Sequence, residues 1–238
     1  MRAHKSTLIF NAIAFVWITG LPSTLDGPSF VYAAAAPPVG IKPTATVTGE
    51  VKIVLLNHRG EIDGFLLADG TRVKFPPYIG ASLAAIAKPG QRVSVIGFTG
   101  LRTQFGTAVE GLSVTSAETG QTVIDQPPTA YAPAPYLAGV IPQWLTVAGK
   151  VGRFLVNPAG NVDGLILESG EQVKLPPHVG YLVVNALREG GAIRVSGPGV
   201  PTSFGTALQA SQIALPSGEI LTSIDGPPDK KGKKAKGW

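Results

Sequence analysis

The chain repeats itself. Residues 47–128 return as residues 147–228 at an offset of 100, apart from small gaps. Gly49, Asp63, Gly64, Gly70, Lys74, Pro76, Pro77 and Gly97 recur as Gly149, Asp163, Gly164, Gly170, Lys174, Pro176, Pro177 and Gly197. A shift of one residue then aligns Phe105-Gly106-Thr107-Ala108 with Phe204-Gly205-Thr206-Ala207. Self-similarity at this period means two copies of one supersecondary unit, here of about 80 residues. Each is small but long enough for a modest core. The matching residues are mostly turn-formers and apolar positions, so the repeat constrains architecture far more than activity.

Within one copy the pattern runs from strand to strand. Val47, Gly49, Val51, Ile53 and Leu55 alternate with Thr48, Glu50, Lys52 and Val54, the period of a long half-buried strand. In the second copy Gly152-Arg153-Phe154 disturbs that alternation, as a bulge would if the strand bends to serve two sides of a barrel. Phe65 to Ala68 reads as strand two. Asp69-Gly70 and Ser169-Gly170 are turn pairs that lead into strand three, with Val73 and Phe75 on one face and Arg72 and Lys74 on the other. Pro76-Pro77 cannot donate to a ladder and ends that strand. Tyr78 to Lys88 predicts a short helix with Ile79, Leu83 and Ile86 inward. Pro89-Gly90 closes it, and strands follow at 92–97 and 107–115, with a short sixth at 122–124.

The predicted class is mostly β: two tandem five- to six-stranded barrels, each with one short helix between strands three and four. This order resembles the OB-fold, a barrel used for oligonucleotides, oligosaccharides and peptides; an SH3-like barrel is the alternative. The Gly-x-Val start, the Asp-Gly before strand two and the Phe/Leu-Pro-Pro after strand three also resemble uncharacterised exported bacterial proteins, a resemblance that implies no particular activity. The barrels are assigned to 46–126 and 146–226. The segment 127–145, with its prolines and with Tyr131, Tyr136 and Trp144 in or beside it, is a semi-extended linker whose rings are expected to pack on a neighbouring barrel.

The two ends differ from the repeats. Residues 1–35 read as a signal peptide, from Arg2 and Lys5 through the apolar stretch Leu8–Leu21 to a small-residue cleavage site at Ala33-Ala34-Ala35. The mature chain is then expected in the periplasm or outside the cell, with no membrane span. Residues 227–238 are expected to be a disordered lysine-rich tail. It holds Lys230, Lys231, Lys233, Lys234 and Lys236, and without these and the two cations of the signal the region 36–228 carries 13 cations and 13 acids. The basic isoelectric point therefore belongs to the ends, not to the barrels. There is no Cys, so neither disulfide nor thiol chemistry enters.

Little in the sequence points to catalysis. His58 and His178 occupy non-equivalent places, with no second His or clustered carboxylate at ligand spacing, so both are read as solvated or capping residues. No nucleophile elbow, phosphate loop or calcium loop is present. An enzyme, a cofactor and a metal are not expected. Asp63 and Asp163, each before a glycine, are read as turn caps. Lys74, Lys174 and Arg72 lie outward on strand three, beside the usual ligand face of an OB barrel. Phe105 and Phe204 could stack a base or sugar at the barrel mouth, against a simpler reading as core.

Two functions follow as expectations. The first is an exported, non-enzymatic binding or interaction module whose ligand is an unassigned protein, saccharide or polyanion. The alternative is a nucleic-acid-binding protein that uses the lysine tail for charge and the strand-three lysines for orientation.

Overall fold

The computed structural model describes residues 44–130 and 132–223. The signal-like segment, Tyr131 and the lysine tail lie outside them. The first copy contains β1 (Thr44–Leu56), β2 (Ile62–Leu67), β3 (Arg72–Lys74), a 3-10 turn (Pro77–Ile79) leading into α1 (Gly80–Ile86), β4 (Arg92–Thr99), β5 (Ala108–Ser116) and β6 (Thr122–Ile124). The second contains β7 (Gln143–Val156), β8 (Val162–Leu167), β9 (Gln172–Lys174), α2 (Pro177–Ala186), β10 (Ala192–Thr202), β11 (Gly205–Gln209), β12 (Gln212–Ala214) and β13 (Ile220–Ser223). Among the described residues no helix is long and apolar enough to cross a membrane.

Each barrel closes by the same device. The first half of β1 pairs with β4, from Thr44 opposite Phe98 to Glu50 opposite Arg92, and the second half pairs with β2. A parallel pairing of β3 with β5, repeated by β9 with β11, joins the open edges. The bend that lets one strand serve both sides is a bulge at Lys52 in the first copy and at Gly152 in the second. The sequence predicts that bulge from the glycine of the second copy alone; an exposed lysine accommodates it equally well. Strand five is continuous in the first barrel but divides into β11 and β12 in the second. The division follows from β10, which pairs with β11 through 199–202 and with β12 through 194–196.

Local chemistry accounts for the remaining features. Gly70 and Gly170 take φ of 88° and 101°, the left-handed turn that strand two needs to reverse into strand three. Ile79, Leu83 and Ile86 are the buried face of the first helix, as their spacing predicts. Core volumes are exchanged between copies. Gly111 lies under the Phe75 ring, with no room for a Cβ. The second copy has the smaller Leu175 and can carry Ala210, while Val54 is replaced by Phe154.

Candidate functional site

The two barrels pack face to face, through the outer surfaces of strands two and three. Alternation along β1 and β2 sends Val54, Leu56, Phe65 and Leu67 into the first barrel and leaves Leu55 and Leu66 outside it. The second copy leaves Leu155 and Ile166 in the same way, and the four form one dry cluster at most 3% exposed. Burial of side chains of this size is worth roughly 2 kcal/mol each.

Polar groups frame that cluster reciprocally. Lys174 donates to Asp63 at 3.0 Å, and Lys74 approaches Asp163 at 3.5 Å. Arg72, only 2% exposed, donates through Nη1 to Asp163 and to the Val156 carbonyl. Its counterpart Gln172 accepts from the Leu56 amide and donates to the Val54 carbonyl, at 2.8 and 2.9 Å. The loops between strands four and five are exchanged as well. Phe105 leaves the first barrel and packs edge-on against Phe154 at 5.1 Å, while Phe204 leaves the second and packs edge-on against Tyr136 of the linker at 5.1 Å. Tyr136 in turn accepts a hydrogen bond from the Ile62 amide, and burial raises its phenol above the usual value. One linker ring is thus packed on a barrel, as the sequence predicts.

The strand-three residues singled out in the sequence are therefore brought together, but between the copies. They line a polar cleft of about 290 Å³ with His58, Asn57, Asn157, Asp63, Asp163 and Gln209. Burial lowers the pKa of Lys174, with Asp63 opposing and Arg72 adding to the shift. His58 is also lowered, first by burial and then by Arg59 and Lys174. His178 lies apart, exposed on α2. Asp63 and Asp163 are not the turn caps the sequence suggests: they lie within β2 and β8, and their carboxylates pair with cations of the other barrel. The tail lysines fall outside the described residues.

A second feature escaped the sequence reading. The outward face of β7 and β10 carries Trp144 opposite Pro198, Thr146 opposite Ser196, Ala148 opposite Arg194 and Lys150 opposite Ala192. Lys150 and Arg194 line an open groove of about 540 Å³ with Ala148, Ala214, Leu215 and Pro216, and no carboxylate is among its lining residues. The equivalent place in the first barrel has Glu50 directly opposite Arg92. The change from Glu50 to Lys150, between the matched pairs Gly49/Gly149 and Val51/Val151, was the available signal.

No family model and no curated protein matches the chain. Among solved structures it is similar to the wild-type single-stranded DNA-binding protein of Thermus aquaticus, at 14% identity over 79% of this chain and 84% of that one, with a TM-score of 0.24. A deletion mutant of the same protein matches at 14% identity over 79% and 97% of the two chains, with a TM-score of 0.23. The barrels themselves, each closed by the parallel pairing of its third and fifth strands, have the strand order of the OB type. The principal functional expectation, an exported interaction module for an unassigned ligand, is corrected here. Both similar structures are of a single-stranded DNA-binding protein. The physical reason for the correction lies in the contact just described, because the faces offered to such a ligand are packed on each other.

Proposed function

We propose that the chain is a nucleic-acid-binding protein, acting by binding rather than turnover, that holds single strands along the outer face of β7 and β10 with help from the lysine tail. One observation carries the reading: the basic groove and the root of the tail share one side of the second barrel. β13 pairs with β12, whose Ala214 lines the groove beside Arg194, and the chain leaves β13 at Ser223, seven residues before Lys230. Seven residues span up to about 25 Å when extended, so the lysines can reach phosphates lying over Lys150 and Arg194. Trp144 and Pro198 give that face an apolar surface for a base, and the cations give sequence-independent attraction. Elsewhere the cations of strand three are each paired with Asp63 or Asp163.

The test is fluorescence anisotropy of a labelled oligo-dT across a salt series, with the full chain, K150E/R194E, and a chain ending at Ser223. Each change should weaken binding and flatten the plot of log affinity against log salt by about 0.7 per lost phosphate contact. Unchanged affinity and slope in both variants would overturn the reading.

A further inference from the structure

Two residues that line the inter-barrel cleft, Arg72 and Asp63, carry three buried polar atoms without partners. Arg72 spends Nη1 on Asp163 and Val156 and leaves Nε and Nη2 unbonded, and Asp63 gives Oδ2 to Lys174 and leaves Oδ1 unbonded. All three belong to residues lining the same cleft, where Lys74 and Lys174 bring the formal balance to three cations against two carboxylates. An orphaned buried group is costly, and two donors with one acceptor specify what would satisfy them. The Nε–Nη2 edge of a guanidinium is a planar fork that fits two oxygens of a tetrahedral anion. A carboxylate oxygen beside it repels a fully deprotonated oxyanion but accepts from one that keeps a proton.

We propose that this cleft binds a protonated phosphate, either free hydrogen phosphate or a terminal phosphomonoester, with Arg72 holding two oxygens, Asp63 accepting from the P–OH, and Lys74 and Lys174 supplying charge. An internal phosphodiester has no such proton, so the site is distinct from backbone binding on the outer groove and does not depend on it. Asn57, Asn157, His58 and Gln209 complete the polar wall. The cleft, about 290 Å³, has room for a tetrahedral anion beside these residues.

Calorimetric titration of the full chain with inorganic phosphate and with sulfate, at matched ionic strength near neutral pH, tests the assignment. Saturable phosphate binding is expected, with sulfate weaker by at least about tenfold because it leaves Asp63 unpaired. R72Q should abolish it, and D63N should narrow the phosphate–sulfate difference. Near-UV circular dichroism checks the fold of each, and K74M, which alters a partly exposed residue, should weaken phosphate severalfold if R72Q does not fold. Competition by a 5′-phosphorylated oligonucleotide, with none from its 5′-hydroxyl form, would assign the phosphate to a strand end; competition by neither assigns it to the free ion. Absence of saturable phosphate binding, equal binding of sulfate, or binding indifferent to D63N and K74M would overturn the proposal.

Discussion

Positions 72 and 172 occupy the same place in their own repeats, yet one is Arg and the other Gln. Gln172 satisfies both ends of its amide on the backbone of β1, while Arg72 bonds through one nitrogen and leaves two idle. The difference shows what the centre of the contact tolerates. Two carboxylates, Asp63 and Asp163, already face Lys74 and Lys174, so a single guanidinium leaves one cation in excess and a second would leave two. Buried charge without a partner is among the most expensive features a fold can carry.

The largest effect should come from breaking that asymmetry upward. Q172R places a second guanidinium against Val54 and Leu56 and should cost about 4 kcal/mol in chemical denaturation, whereas R72Q, which makes the copies alike, should cost distinctly less. Equal losses would show that size and not charge limits the position. Next, L66A opens the dry cluster of Leu55, Leu155 and Ile166 and should cost about 3 kcal/mol. If both barrels are held mainly by that cluster, the denaturation curve should also lose cooperativity. A smaller effect belongs to the flanking pair: K174M leaves Asp63 without its cation and should cost about 2 kcal/mol, and adding D63N should recover about 1 kcal/mol of it in a double-mutant cycle.

The smallest prediction concerns pH. Burial holds the pKa of His58 below its ordinary 6.5, so in the window just below 6.5 the unfolded chain binds more protons than the folded one. Stability contributed by His58 is therefore intact above that window and falls as pH drops through it. H58N should remove this part of the acid-side slope and leave stability at pH 8 almost unchanged, as thermal unfolding across the range would register.

The barrels were legible because their determinants are local. Asp69-Gly70 needs a positive φ wherever it occurs, Pro76-Pro77 stops a ladder, and Ile79, Leu83 and Ile86 share a face at helical spacing. The contact between barrels was not. Alternation places Lys74 opposite the core whether the far side is water or protein, and nothing local distinguishes the two. Asp63 before Gly64 reads as a turn residue because its lysine lies 111 residues away. Phe105 followed by Gly106 shows a loop bend but not which barrel receives the ring. The matched pairs Asp63/Lys74 and Asp163/Lys174 did hold the clue, since opposite charges repeated in both copies can neutralise each other crosswise.

The reciprocal contact has an evolutionary corollary. A one-barrel chain could make it with a second copy of itself, as an isologous homodimer in which residue 72 would necessarily be the same on both sides. Two arginines or two glutamines would then meet, one overcharging the centre and the other removing the unbonded donors. Joining the barrels in one polypeptide lifts that constraint, because each half can mutate without forcing its twin to follow. The Arg–Gln pair is a state closed to such a homodimer and open to the fused duplicate, and the unequal outer faces with Glu50 and Lys150 are another.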